Sequence, residues 1–229
     1  MRIAMVSAHT SPLAPLGGRE TGGMNVYVLE LSRELARLGY EVDIFTRRDA
    51  EIPTVQQVAP NLRLINIDAG PGEPIEKEEI VRYLPEFHAN MRRFMAEQPG
   101  GYQLIHSHYW QSGWAGTLLA RAFDLPHVVM FHTLGEVKNR ARFGEQEPKL
   151  RIRHERTIAR RATGIVTASE HERQLLELYY GAEQERMFSV PCGIDLDLFQ
   201  PRDRERARAA IGIEGDAPLI LWVGRLEKL

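Results

Sequence analysis

The sequence predicts an α/β fold in which a mostly parallel sheet carries helices on both faces. Short apolar runs rich in β-branched residues recur along the chain, and amphipathic stretches separate them. Several of these runs are apolar throughout, which is typical of parallel strands covered on both faces. The predicted strands are residues 3–6, 41–46, 62–67, 104–107, 128–131, 164–168, 187–190 and 219–223.

Two helices have clear local signals. Apolar residues at helical spacing over residues 26–38 stop at Gly39, a residue that favours a helix C-terminus. Ser169 followed three residues later by Glu172 forms a capping box and predicts a helix over residues 169–179.

The composition is that of an ordinary globular protein. The 229 residues are 43% hydrophobic and 26% charged, and the net charge of -2 does not favour nucleic-acid binding. Cys192 is the single cysteine, which excludes an intrachain disulfide and predicts a cytoplasmic location. The chain turns polar at Ser7, too soon for a signal peptide, and no run approaches a membrane span.

A turn-rich segment over residues 191–201 predicts the domain organisation. It contains prolines at both ends and follows the seventh predicted strand. We therefore expect a first domain over 1–190, an interdomain linker over 191–201, and the truncated start of a second domain over 202–229. The last predicted strand lacks a sheet to join and should pack poorly or borrow a partner.

The loop after the first strand predicts an entrance for an anion. Gly22 and Gly23 lead directly into the first helix, so free backbone amides would face a phosphate or a reacting sugar without interference from a Cβ. The spacing differs from the Gly-x-Gly-x-x-Gly fingerprint, which argues against a nicotinamide-dependent enzyme. A flexible surface loop is the alternative.

Polar side chains also stand at the ends of two apolar strands. His106 and His108 end one strand, and His132 and Thr133 follow the next. Ligands of open parallel sheets gather at such strand ends, so a shared site is predicted. Each histidine could instead cap its own strand. A zinc site is a further alternative, but a strand end that opens on a cleft explains the pattern without metal.

The residues alone do not name a reaction. The chain has no Gly-x-Ser-x-Gly elbow, no Walker loop and no pair of carboxylates with glycosidase-like placement.

Five motifs in the same order resemble glycosyltransferase family 4. The first begins Thr21-Gly22-Gly23 and the second begins His106-Ser107-His108. They are followed by the segments over 131–134, 190–201 and 223–226. The resemblance implies that the chain is the acceptor-binding, Rossmann-like N-terminal domain of a GT-B glycosyltransferase. It is closest to family members that use phosphorylated acceptors.

The resemblance implies retaining transfer from a nucleotide-sugar, a UDP-sugar, to a phosphorylated sugar or cyclitol, without a cofactor or bound metal. The Gly22 and Gly23 amides would face the donor, His132 would lie beside the donor sugar, and Asn25 would contact the acceptor. Four side chains would hold the acceptor phosphate: Lys77, Tyr109, Thr133 and Arg151. Arg153 is the alternative to Arg151.

In the family an Arg and a Lys five residues later stabilise the departing diphosphate. Arg225 matches the Arg, and the Lys would fall at position 230, so we expect this chain alone to have little or no transferase activity. Its predicted partners are small molecules, with no nucleic acid and no membrane span, and a homodimer remains open. A non-catalytic sugar-phosphate-binding module is the alternative function.

Overall fold

The computed structural model describes residues 1–15, 17, 22–141 and 146–223. Its described residues form an eight-stranded sheet in the order β3-β4-β2-β1-β5-β6-β7-β8. All neighbouring strands are parallel except β3, which runs antiparallel to β4 at one edge. The strands are β1 (Arg2–Val6), β2 (Glu41–Arg47), β3 (Val55–Ala59), β4 (Leu62–Ile67), β5 (Leu104–His108), β6 (His127–Met130), β7 (Gly164–Thr167) and β8 (Met187–Ser189).

Helices lie between the strands, as the crossovers of a parallel sheet require. They are α1 (Gly23–Arg37), α2 (Leu84–Ala96), α3 (Tyr109–Phe123), α4 (Gly135–Ala141), α5 (Lys149–Arg161), α6 (Glu170–Tyr180) and α7 (Arg204–Ala210). Short 3₁₀ segments precede α2 (Glu79–Tyr83) and β8 (Gln184–Arg186).

Both predicted helices form with the expected boundary signals. Gly39 follows α1 with a φ of 90°, a left-handed conformation that glycine adopts without a steric penalty. The Ser169 side chain accepts a hydrogen bond from the Glu172 amide at the start of α6. The Glu172 carboxylate accepts from the Ala168 amide, one residue before the N-cap, so the cap differs slightly from a standard capping box.

The two faces of the sheet carry separate cores because successive strand residues point to opposite faces. On one face, Met5 and Ile44 pack with Val28 of α1. On the other, Val6 and Phe45 pack with residues of α2 and α3. The predicted mostly parallel sheet with helices on both faces is therefore confirmed.

The structure corrects two predictions at the ends of the strand series. Strand β3 was not expected, and it pairs at the edge of the sheet with a shift in register between Gln57 and Ala59. The predicted strand over 219–223 does not form: these residues are irregular and exposed. Within the Cys192–Leu229 unit the described residues form no strand, so these backbone groups have no ladder to join there.

The chain divides into two compact units, Met1–Pro191 and Cys192–Leu229. The first contains the whole sheet. Within the second, Asp203 caps the N-terminus of α7, and its side chain accepts from the Arg206 amide. Among the described helices, none has the length and apolar character that crossing a membrane would require.

Candidate functional site

The sheet changes winding direction between β1 and β5, and polar residues gather at that point. From β1 the chain first builds outward through β2 and β4, and it then returns to add β5 on the other side. The crevice at such a switch point is where open parallel sheets bind ligands. His9 follows β1 and Tyr109 follows β5, and their ring centroids lie 4.6 Å apart.

Two residues at this end of the sheet adopt a left-handed backbone. Tyr109, directly after β5, has a φ of 72°, and His132, shortly after β6, has a φ of 60°. The Thr133 amide donates to the Phe131 carbonyl at 2.7 Å, so His132 is the central residue of a tight three-residue turn. Such strain in aromatic residues is uncommon and clusters at functional sites.

Arg151 of α5 lies at the site and is buried, with 1% of its surface exposed. Its Nη2 donates to the Thr133 carbonyl and to Thr133 Oγ1, both at 3.0 Å. Its guanidinium carbon lies 4.9 Å from the Tyr109 ring centroid. Arg151 thus joins the two strand ends that carry the strained residues.

Two glutamates balance the Arg151 charge. Glu155 Oε1 accepts from Nε at 2.7 Å, and Glu147 Oε2 accepts from Nη1 at 2.9 Å. Burial disfavours the charged guanidinium, but Glu155 and Glu147 outweigh it and raise the Arg151 pKa. Lys138 forms a second ion pair with Glu147.

Glu155 is the centre of a buried network. Its carboxylate also accepts from the Gly135 amide at 3.0 Å and from the Tyr180 hydroxyl at 2.7 Å. Our sequence analysis did not identify Glu155 or Glu147. The signal for Glu155 was present, because it follows Arg151 by four residues, a spacing that places two side chains on one helix face. Glu147 precedes α5 by two residues.

Two cations lie near His9 at this site. Burial is the main cause that lowers the His9 pKa to about 3, and the charges of Lys77 and Arg151 contribute to the same shift. The Lys77 backbone is held in place by α3, because buried Gln111 donates to the Lys77 carbonyl at 2.6 Å. The Lys77 side chain is 33% exposed. Sequence analysis missed His9.

The two histidines at the end of β5 and the one that follows β6 form one packed group. The rings of His106 and His108 lie 4.4 Å apart, and those of His108 and His132 lie 5.2 Å apart. Burial lowers the pKa of His106 to about 3 and that of His132 to about 4. Tyr27 of α1 packs edge-on against His108 and His132. The described part of the chain contains no group of three or more potential ligands arranged for a metal ion.

The Asn25 side chain holds the loop that carries Gly22 at the start of α1. Its side chain accepts from the Gly22 amide at 3.1 Å and donates to Thr10 Oγ1 at 2.8 Å and the Ser11 carbonyl at 2.7 Å. Both amide hydrogens of Asn25 are thus used internally, and only 1% of the residue is exposed. A Cβ on Gly23 would meet no atom within 4 Å among the described residues, so folding does not require glycine there.

The structure brings most of the predicted site residues to one end of the sheet. Arg151, and not the exposed Arg153, lies against Tyr109 and Thr133. Asn25 lies beneath the entrance, where it supports Gly22. Its predicted contact with the acceptor stays a prediction, as do the other ligand roles. Thr21 and Arg225 lie outside the described residues.

The family model and the curated relatives that match this sequence agree on one family. The model of Glycosyltransferase Family 4 matches residues 21–198. D-inositol 3-phosphate glycosyltransferase of Geodermatophilus obscurus is 41% identical over 232 residues, covering 100% of this chain and 52% of that protein. The protein of the same name from Nocardia farcinica is 43% identical over 233 residues, covering 100% of this chain and 51% of that protein. The chain therefore spans about half the length of the curated relatives it matches.

Solved structures agree. Sucrose-phosphate synthase from Thermosynechococcus elongatus superposes with a TM-score of 0.88 at 36% identity, covering 98% of this chain and 55% of that one. Anabaena HepE superposes with a TM-score of 0.61 at 14% identity, covering 93% of this chain and 50% of that one, a likeness of fold alone. These neighbours confirm the predicted Rossmann-like N-terminal domain of the GT-B fold. The chain belongs to glycosyltransferase family 4.

Proposed function

We propose that the whole protein is an enzyme that transfers a sugar from a UDP-sugar to a phosphorylated sugar or cyclitol, with retention of anomeric configuration. In this proposal the Met1–Pro191 unit binds the acceptor. Two observations support a phosphorylated acceptor: the names of the relatives at about 40% identity and the charge distribution of the site.

The proposal rests mainly on the contacts around Tyr109 at the switch point of the sheet. The Tyr109 ring centroid lies 4.6 Å from that of His9 and 4.9 Å from the Arg151 guanidinium carbon, and Lys77 supplies a second cation near His9. Phosphate oxygens are recognised by lysine and arginine through charge-assisted hydrogen bonds. The hydroxyl groups of Thr133 and Tyr109 stand beside Arg151 and can add neutral hydrogen bonds. Burial raises the Tyr109 pKa to about 12, so its hydroxyl keeps its proton and can donate.

Arg151 contributes mainly as a fixed positive centre, because most of its N–H groups are already used. A phosphate beside it would compete with Glu147 for the Nη1 edge. Glu155 would stay paired, because it is fully buried and also accepts from the Gly135 amide and the Tyr180 hydroxyl. The proposed pocket therefore combines the partly exposed cation of Lys77, whose Nζ also lies 3.7 Å from Glu78 Oε1, with the fixed cation of Arg151.

On the donor side, we assign the N-terminus of α1 to the sugar and its phosphates. The amide of Gly23 opens a helix of 15 residues, where the helix dipole favours negative charge. Transfer breaks the bond between the anomeric carbon and the diphosphate, and positive charge must stabilise the departing group. Arg225 is proposed for that role on the strength of the family resemblance. The exposed, unpaired Cys192 supports a cytoplasmic location as part of the same proposal.

The test is sugar transfer by the full-length protein. UDP-sugars should support transfer to inositol phosphate or a hexose phosphate, with the anomeric configuration of the donor retained in the product by NMR. The same acceptor without its phosphate is the matched control, and its kcat/KM should fall by at least about 100-fold. Equal use of the two acceptors would contradict the proposed acceptor class.

A further inference from the structure

Three side chains form a line from the core of the sheet to the candidate site. Met5 Sδ lies 2.8 Å from His108 Nε2, and His108 Nδ1 lies 2.9 Å from His132 Nε2. Met5 and His108 are completely buried. Only the last member, His132, is partly accessible from the site.

The sulfur atom decides where the proton of His108 lies. A thioether can accept a hydrogen bond but has no hydrogen to donate. Nε2 of His108 must therefore carry a hydrogen, since the other tautomer would set two lone pairs 2.8 Å apart. Burial holds the His108 pKa well below its ordinary value, so the ring is neutral and has one proton. Its Nδ1 is consequently an acceptor.

The tautomer of His132 follows from that of His108. Because His108 Nδ1 accepts, His132 Nε2 must carry the hydrogen between the two rings. His132 is also neutral near pH 7, since burial lowers its pKa to about 4. Its Nδ1 therefore has a free lone pair, and among the residues that the structure describes none is hydrogen-bonded to this atom.

We propose that Met5 and His108 are positioning residues that fix the tautomer of His132, so that His132 Nδ1 accepts a hydrogen bond from a hydroxyl group of a bound sugar. The fixed tautomer rests on the geometry of the three side chains. The identity of the ligand as a sugar rests on the proposed function. A ring fixed in this way favours a hydroxyl donor and repels a carbonyl or phosphate oxygen at the same position.

The tautomers can be measured directly in the 229-residue chain by long-range ¹H–¹⁵N correlation NMR, which distinguishes protonated from unprotonated imidazole nitrogens. In the unaltered protein, His108 and His132 should both show a protonated Nε2 and an unprotonated Nδ1. Met5→Leu removes the acceptor with little change in volume. The tautomer ratio of both rings should then shift toward the Nδ1-protonated form by about fivefold, the equivalent of one hydrogen bond.

Met91→Leu is the matched control, because Met91 is equally buried in the other core and should leave both tautomers unchanged. A protonated Nδ1 on His132 in the unaltered protein would overturn the inference, as would identical tautomers in the Met5→Leu protein. The experiment needs no substrate. A full-length protein that shows these tautomers but transfers no sugar would remove the proposed function and leave the positioning role intact.

Discussion

Arg151 and Glu155 form an ion pair one helical turn apart, with Nε and Oε1 separated by 2.7 Å and both side chains at 2% exposure or less. A buried charge that loses its partner is costly, because the remaining ion cannot be solvated. Replacement of Glu155 by Gln should therefore lower the free energy of unfolding by about 3 kcal/mol in urea denaturation. Glu34→Gln, which breaks the exposed pair with Arg37, should change it by less than about 1 kcal/mol. Similar losses for both variants would show that the buried pair contributes no more to the free energy of unfolding than the exposed pair does.

The left-handed backbone of His132 gives a second prediction. Alanine normally stabilises a protein relative to glycine at the same position, as it should at exposed, helical Arg33. At a φ of 60° the order should reverse, because the alanine Cβ clashes with its own backbone. We expect His132→Gly to be more stable than His132→Ala by about 1 kcal/mol in thermal or urea unfolding. The usual order at both positions would mean that the turn at His132 is not strained in solution.

The buried histidines make stability depend on pH. Burial lowers the pKa of His106 from 6.5 to about 3, so below pH 6.5 the unfolded chain binds a proton that the folded chain does not. Unfolding is then favoured as the pH falls, and stability is fully present only above pH 6.5. The free energy of unfolding should be clearly lower at pH 5 than at pH 7.5. His106→Gln should reduce that difference by about 2 kcal/mol. No pH dependence in this range would contradict the buried, neutral state.

A substitution at Gly23 distinguishes an effect on folding from an effect on donor binding. An added Cβ meets no described atom within 4 Å, and Gly23 has no positive φ, so Gly23→Ala should leave the free energy of unfolding unchanged or slightly raise it. If the donor approaches the backbone there, the same change should raise the KM for the nucleotide-sugar in the full-length protein by about tenfold or more. Unchanged donor kinetics in a stable Gly23→Ala protein would show that the donor does not approach Gly23.

The sequence predicted the central sheet well because buried parallel strands are apolar throughout. Strand β3 was not predicted, for the opposite reason. It lies at the edge of the sheet, its residues are half-buried or exposed, and Gln56 and Gln57 interrupt its apolar pattern. The run over 219–223 looked like a strand because its residues are apolar. Composition alone does not supply the neighbouring strand that pairing requires.

The candidate site was predicted in its parts and not in its connections. The histidines at the end of β5 and after β6 were identified, since polar residues at the ends of apolar strands are visible in sequence. The use of Arg151 as an internal ion-pair centre was not, because the same residue type serves for ligand binding and for burial with glutamate. His9 was missed, since its role depends on contact with Tyr109, 100 residues further along the chain.

The central claim about this protein is that the switch-point site binds a phosphate with Lys77. Calorimetric titration of inositol phosphate into the 229-residue chain tests it, with inositol as the ligand that lacks the phosphate. We expect the phosphorylated ligand to bind, Lys77→Ala to weaken it by about tenfold, and Arg37→Ala, which removes an exposed cation in the last turn of α1, to leave the affinity unchanged. Equal affinity for inositol and inositol phosphate, or the same loss in both variants, would contradict the account.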